Sequence, residues 1–323
     1  MADQRRGGIA WTDETLNPLR ARHRATGKVG WYCQRVSEGC KHCYAATMNE
    51  WRGNGVDYTV PAFKDVELFL DEDMLTAPLR WRRPRRVFLC SMTDLFADFV
   101  PDEWIDRIFA VMALADRHVF QVLTKRPERM AVYLGTGDRE DRIDEAIPPA
   151  TACHADLDRP GRWPLPNVWL GVSVEDQATA DERVPLLLKT PAAVRFVSYE
   201  PALGPVDFSA WVFDRRAEIN HLVNGPAMLN RDQAEDSVSH PLDWLIVGGE
   251  SGPNARPFDL AWARSAVAQG RAAGVPVFCK QLGARPVDSS RAGRLMVGMP
   301  EYDVKLRDRA GADPEEWPEA LRI

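Results

Sequence analysis

The sequence predicts an α/β fold, specifically a full or partial TIM-type (β/α) barrel of parallel strands with long loop insertions. Short, continuously apolar runs recur along the chain, as expected for parallel strands that are buried on both faces. Helical patterns fill several of the intervals between these runs, and this alternation is typical of α/β folds. Seven such runs in 323 residues suit one large barrel, with a doubly wound open sheet as the alternative.

The predicted strands are runs of apolar, β-branched or aromatic residues that end in polar ones. They are residues 9–12, 87–91, 119–123, 168–172, 194–198, 244–248 and 275–279. The run at 9–12 is the shortest, and it precedes a long segment that leads to three clustered cysteines.

Two helices are marked by their ends as well as by their apolar spacing. Pro101 and the two carboxylates after it suit a first helical turn, and apolar residues at 105, 108, 109 and 112 then form a stripe. Residues 258–273 form the second predicted helix, which Gly274 would end.

The composition predicts one domain over residues 1–323, with insertions near 135–166 and 214–241 where charge, Gly and Pro are frequent. The net charge of −6 argues against a generally basic nucleic-acid-binding protein but leaves local basic patches open. Six cysteines are too sparse for a disulfide scaffold. Neither a signal peptide nor a membrane-length apolar run is visible, so we expect a cytoplasmic protein without a membrane partner.

The three clustered cysteines are the most informative feature of the chain. Cys33, Cys40 and Cys43 follow the spacing C-x6-C-x2-C within eleven residues. Three thiolates in one loop suit an iron–sulfur cubane in which one iron stays open for a substrate or cofactor. Structural zinc with His42 or His23 as a fourth ligand is one alternative, and reduced thiols without a metal are another.

Polar residues end every predicted strand. They occupy 12–14, 91–94, 124–126, 173–176, 198–200, 248–251 and 280–281. In a barrel, the carboxyl ends of the strands meet at one mouth, where active sites form. We therefore expect these residues and the cysteine loop to share that mouth.

The chain resembles the radical S-adenosylmethionine (SAM) superfamily, and more closely an uncharacterised family of phage and bacterial proteins with a three-cysteine motif. The sequence segments on which the resemblance depends are residues 11–13, 17–18, 36–45, 78–81, 91–96, 121–129, 170–175, 200–201, 203–205, 247–252 and 280–281. They span most of the chain. The usual radical SAM loop has three residues between its first two cysteines, whereas this loop has six.

The resemblance implies a radical SAM enzyme. Cys33, Cys40 and Cys43 would hold a 4Fe–4S cluster, which would cleave SAM reductively to a 5′-deoxyadenosyl radical that acts on an unknown substrate. A reductant such as flavodoxin or ferredoxin would supply the electron. The resemblance names no catalytic residue on the substrate side.

The resemblance also implies a set of SAM contacts. Ser91 and Asp94 are expected to hold the methionyl amine, Lys125 the carboxylate, and Ser173 or Glu200 the ribose hydroxyls. Residues 248–250 are similar to the superfamily's motif for the methionine amino group, although they lie late in the chain. The complete set of expected SAM contacts is Tyr44, Ser91, Asp94, Lys125, Ser173, Glu200 and Glu250.

A basic stretch before the cysteines points weakly to a nucleic-acid or nucleotide substrate. Arginines at 20, 22 and 24 and Lys28 could meet phosphate, while Trp31 and Tyr32 could stack on a base. We favour a solvated loop for this stretch, with the nucleic-acid contacts as the alternative. The rival functions are a non-enzymatic, zinc-stabilised nucleic-acid-binding protein and a barrel that binds a ligand without radical chemistry.

Overall fold

The computed structural model describes residues 9–147, 163–212, 242–252, 254–291 and 304–321. The insertion expected at 214–241 lies outside these ranges, as do residues 148–162 of the one expected at 135–166; the described part of the latter contains a short helix. Within the described ranges, no helix is long and apolar enough to cross a membrane.

Twelve strands and eight α-helices are described. The strands are β1 (Glu14–Leu16), β2 (Leu19–His23), β3 (Val29–Gly30), β4 (Val66–Leu70), β5 (Arg86–Leu89), β6 (Val119–Thr124), β7 (Val168–Val174), β8 (Val194–Tyr199), β9 (Trp244–Gly248), β10 (Phe258–Asp259), β11 (Val277–Gln281) and β12 (Pro286–Val287). The helices are α1 (Tyr44–Arg52), α2 (Glu72–Leu75), α3 (Ala77–Arg80), α4 (Asp102–Leu114), α5 (Pro127–Gly135), α6 (Arg139–Glu145), α7 (Gln177–Lys189) and α8 (Leu260–Ala273).

The main sheet confirms the predicted fold class. Its seven strands follow the order β1, β5, β6, β7, β8, β9 and β11, and the strand pairs described within it are parallel. A doubly wound sheet reverses its strand order at a switch point, whereas this order runs in one direction along the chain. The fold is therefore α/β, with the strand order of a partial TIM-type barrel.

One predicted strand is wrong. The strand paired with β5 is Glu14–Leu16 rather than residues 9–12. Trp11 instead packs its ring on Phe88, with 4.6 Å between ring centroids, and the Thr12 hydroxyl donates to the carbonyl of Arg86. The apolar run at 9–12 thus covers the sheet with side chains, while the strand itself exposes Glu14 and Thr15.

The chain divides into two compact units, each described here by itself. The first is Met1–Ser173 with Thr190–Val194, and the second is Val174–Lys189 with Arg195–Ile323. The expectation of a single domain stays a prediction.

In the first unit, the parallel strands and helix α4 supply the core. The predicted stripe on α4 is confirmed, because all four of its apolar side chains are buried. An additional antiparallel sheet, with the order β3-β2-β4, follows β1 in the chain. This small sheet was not predicted from the sequence.

In the second unit, helix α8 ends where the sequence indicates. Gly274 adopts a left-handed conformation with φ = 70°, and its amide bonds the carbonyl of Arg271. The helix begins at Leu260 rather than at 258, since Phe258 and Asp259 form the short strand β10 and Asp259 caps the helix through the Ala261 amide.

His118 gives the first unit a pH-dependent stability. The ring is fully buried; Nδ1 accepts from the Arg85 amide at 3.2 Å, and Nε2 lies 3.1 Å from the carbonyl of Pro78. Burial lowers the pKa of His118 below its usual range. The unfolded chain therefore takes up a proton at a higher pH than the folded protein, and stability is lost as the pH falls.

We expect the free energy of unfolding to decrease between pH 7.5 and 5.5, by at most about 1.4 kcal/mol per pH unit from this residue. Urea unfolding at several pH values measures it. His118→Gln should flatten the pH profile, and His23→Gln controls for the loss of an imidazole. A profile that His118→Gln leaves as steep as before would contradict this origin.

Candidate functional site

The cysteine loop lies between β3 and α1. Cys33 follows β3, Cys40 ends the short 3₁₀ helix Glu38–Cys40, and Cys43 is the N-cap of α1. Cys33 and Cys43 both pack against a small cluster made by Ala45, Tyr58 and Met92. The two ends of the loop are therefore held at one place, beside the segment that follows β5.

Two buried asparagines fix this loop. The side-chain Oδ1 of Asn49 accepts from the Trp31 amide at 2.9 Å, and its Nδ2 donates to the side-chain oxygen of Asn54 and to the backbone carbonyl of Val56. Asn54 in turn donates to the carbonyls of Ala21 and Trp31. Because both side chains are buried and satisfied, they lock α1 onto β2 and β3.

Gly30 is required where α1 approaches β3. A Cβ at this position would collide with the backbone of Asn54 and with the side chain of Asn49. Glycine thus permits the close approach that places Cys43 beside Cys33.

Asp94 links the strand ends to the cysteine loop. Its carboxylate is 7% exposed and accepts from the Phe96 amide, the Thr124 hydroxyl and the Lys125 amide at 2.7–3.0 Å. It also pairs with Arg126 at 3.2 Å. Arg126 donates to the carbonyl of Gln34, which adjoins Cys33.

These four donors match the roughly four lone-pair positions of a carboxylate. The contact expected between Asp94 and SAM stays a prediction, whereas the positioning role is visible in the structure.

Lys125 and Ser173 meet at the ends of neighbouring strands. Lys125 Nζ donates to Ser173 Oγ at 2.9 Å. This pair follows from the parallel register of β6 and β7, in which Thr124 lies opposite Val172. A cation and a hydroxyl thus point to one place, as recognition of a carboxylate and a sugar hydroxyl would require.

Burial and neighbouring charges determine the protonation state of the thiols of Cys33 and Cys43. Burial raises the pKa of Cys33 to about 12, the Asp94 carboxylate adds to this, and Arg126 opposes it. Burial also raises the pKa of Cys43, against the opposing effects of the first amides of α1 and of Lys125. Both thiols are protonated at neutral pH when no metal is bound, so metal binding has to displace their protons.

Tyr44 and Ser91 connect α1 to the end of β5. The Tyr44 hydroxyl donates to the Ser91 carbonyl at 2.6 Å. Asn17 exchanges hydrogen bonds with the Ser91 hydroxyl and accepts from the Met92 amide. Directly before Ser91, Cys90 has φ = 56°, a left-handed conformation that turns the chain sharply as it leaves the strand.

Glu200 and Glu250 belong to the second unit, where both already have partners. Glu200 accepts from Lys280 Nζ at 2.6 Å and from Gln281 Nε2 at 3.3 Å. Glu250 pairs with the guanidinium of Arg256 and accepts from the Arg256 amide at 2.9 Å. Their assignment to a SAM site stays a prediction.

Eight of the ten predicted site residues lie in the first unit, and hydrogen bonds, packing or charge interactions connect them there. They are Cys33, Cys40, Cys43, Tyr44, Ser91, Asp94, Lys125 and Ser173. The sequence assigned no supporting role to the residues that hold them, although Arg126 was predicted as one of the polar residues at the mouth. Arg126 and Asn17 belong to the sequence segments that resemble the family, and this membership could have indicated a role at the site. No sequence pattern indicated such a role for Asn49 and Asn54.

The metal that the cysteine loop would bind stays a prediction. Among the described residues, no group of three or more His, Cys, Asp or Glu side chains is gathered as for one metal ion. His23 Nδ1 accepts from the Ala25 amide at 3.1 Å, and zinc with His42 or His23 as a fourth ligand stays open as the alternative.

Comparison with known proteins gives a family without an assigned activity. Residues 6–307 match the family model described as "Protein of unknown function (DUF5131)". Neither a curated protein nor a solved structure matches the chain.

Proposed function

We propose that the chain, which belongs to the DUF5131 family, is a radical SAM enzyme. The observation that carries the proposal is the cysteine loop. Cys33 and Cys43 pack on Met92, directly after a parallel strand, and two cations at the end of the next strand, Lys125 and Arg126, act on the two thiols. Soft thiolate ligands beside fixed positive charges suit an iron–sulfur centre that must also accept an electron.

Each residue near the loop has a proposed role. Cys33, Cys40 and Cys43 would hold a 4Fe–4S cluster, which when bound supplies the electron for reductive cleavage of SAM to methionine and a 5′-deoxyadenosyl radical. The ammonium of Lys125 is suited to the SAM carboxylate, and the Ser173 hydroxyl, which it bonds, to a ribose hydroxyl.

The remaining residues position these groups. Asp94 fixes Arg126 and the amide of Lys125, and Arg126 fixes the start of the loop at Gln34. Tyr44 ties the end of the loop to Ser91. The apolar cluster around Met92 excludes water from the buried side of Cys33 and Cys43.

We also propose the compartment in which the reaction takes place and the protein that reduces the cluster. An oxygen-sensitive cluster suits a reducing cytoplasm, and a reductant such as flavodoxin or ferredoxin would supply the electron.

Anaerobic purification followed by a SAM cleavage assay tests this function. We expect about four irons per chain and a brown protein. With SAM and a strong reductant, chromatography should detect 5′-deoxyadenosine, and without the reductant it should not. The reductant is needed because the sulfonium bond breaks only after one electron is added.

Two results would contradict the proposal in different ways. About one zinc per chain and no iron would favour the zinc-stabilised nucleic-acid-binding protein. A full complement of iron with no 5′-deoxyadenosine would favour a barrel that binds its ligand without radical chemistry.

A further inference from the structure

Exposed apolar side chains concentrate in one short segment of the first unit. In the part of the chain that the structure describes, eight large apolar side chains stay exposed, and seven of them lie between residues 29 and 63. They are Val29, Val36, Tyr44, Met48, Trp51, Val60 and Phe63. Scattered apolar residues need no explanation, but a concentration of them indicates a binding surface.

Helix α1 presents the most exposed part of this surface. Tyr44, Met48 and Trp51 lie at helical spacing on one face, and Trp51 is 82% exposed. The two buried residues of the helix, Ala45 and Asn49, face inward instead. The outer stripe begins at the residue next to Cys43 and extends about 10 Å along the helix axis. It therefore leads outward from the cysteine loop.

The same region is basic although the chain is acidic. Residues 19–70, here called the basic module, contain eight Lys or Arg and five Asp or Glu, a net charge of +3 against −6 for the whole chain. Five of the module's cations are exposed and form no ion pair with any described acidic side chain: Arg24, Lys28, Lys41, Arg52 and Lys64.

Two further arginines of the basic module lie over aromatic rings. The guanidinium of Arg20 lies 4.7 Å from the ring centre of Trp31, and that of Arg22 lies 5.0 Å from that of Phe69. Tyr32 is buried, at 2% exposure. Tyr32 therefore offers no face to a base, whereas stacking of a base on Trp31 stays a prediction.

We infer that the basic module binds single-stranded nucleic acid, with bases stacked along Tyr44 and Trp51 and phosphates held by the unpaired cations. Open aromatic faces beside Lys and Arg are the pattern of single-strand binding, since unpaired bases expose faces that a duplex hides. Lysine is depleted at protein–protein interfaces, whereas the basic module has three exposed lysines, Lys28, Lys41 and Lys64, that form no ion pair with a described acidic side chain. We also take this bound strand to be the substrate of the enzyme, and that step rests on the proposed function.

Fluorescence anisotropy with a labelled oligothymidylate or oligouridylate of about 20 nucleotides tests the inference on anaerobically purified protein. Trp51→Ala should weaken binding about 5- to 100-fold, the loss expected for one base–aromatic stack. Val132→Ala is the matched control, because Val132 is the one exposed large apolar residue described outside the module. It should bind as the wild type does.

A second pair of matched variants tests the contribution of positive charge to strand binding. Lys64→Glu should weaken binding and reduce the salt slope by about 0.7 for each phosphate that is no longer neutralised. Lys189→Glu makes the same charge change on an exposed lysine of the second unit and should leave affinity and slope unchanged. Circular dichroism confirms that each variant is folded.

Several outcomes would overturn the inference. These are an absence of binding, equal affinity in Trp51→Ala and Val132→Ala, or a duplex bound as tightly as a single strand. Self-association that Trp51→Ala abolishes, without any strand binding, would assign the surface to a second copy of the chain. Iron content and 5′-deoxyadenosine release are measured on the same samples. Strand binding by iron-free protein supports this inference while contradicting the radical SAM proposal.

Discussion

Replacing Cys40 by alanine is expected to remove the iron of the purified protein while leaving it folded. Cys40 is only partly buried, and its thiol has one weak neighbour, the Ser37 hydroxyl at 3.9 Å. The replacement therefore costs little packing, but it removes one of the three proposed cluster ligands. Iron should fall from about four per chain to near zero, since a cluster already bound through only three corners has no spare ligand. Elemental analysis and visible absorption after anaerobic reconstitution measure the loss.

Cys279→Ala is the matched control for this experiment. It removes the same thiol group from a fully buried position in the second unit, so it disturbs packing more than Cys40→Ala does. If iron loss reflected general destabilisation, the control would lose iron as well. Equal iron in both variants would show that Cys40 is not a ligand, and zinc in the wild type would move the site to the single-ion alternative.

The main sheet could be predicted because its strands are buried on both faces. Six of the seven runs coincide with strands, namely β5 to β9 and β11. The exception, β1, lies at the edge of the sheet and has only one buried residue, so its sequence lacks a continuous apolar run. The small antiparallel sheet did leave a signal: Leu19 and Ala21 point inward while Arg20 and Arg22 point outward. The prediction gave those arginines to a loop and missed this alternation.

The sequence marks the residues of the candidate site but not most of the residues that support them. The cysteine spacing and the polar strand ends are readable in the sequence, and parallel register explains why Lys125 and Ser173 meet. The partners of Asp94 depend instead on how the side chain of Arg126 crosses from one strand end to the loop. The contact of Thr124 with Asp94 joins residues about 30 positions apart, and that of Arg126 with Gln34 joins residues about 90 positions apart. Contacts between such distant positions produce no local sequence pattern.

Asp94→Asn is expected to destabilise the folded protein by about 3 kcal/mol or more. Asparagine keeps the shape but removes the charge, so Arg126 is left buried without a counter-ion, at 11% side-chain exposure. The new amide hydrogens also face donors from Thr124 and Lys125, because all four acceptor positions of the carboxylate were in use. Urea unfolding of the metal-free protein measures the change in the free energy of unfolding.

Asp57→Asn provides the control in the same neighbourhood. Asp57 forms a two-bond ion pair with Arg35 at 2.8 and 3.2 Å, but this pair is exposed and should contribute less than about 1 kcal/mol. Adding Arg126→Met to Asp94→Asn should recover part of the lost stability, because it removes the unpaired buried cation. If Asp94→Asn cost no more than Asp57→Asn, the Asp94–Arg126 pair would not hold the loop. Iron retention should then survive the substitution, whereas we expect it to fall with the loss of the Gln34 anchor beside Cys33.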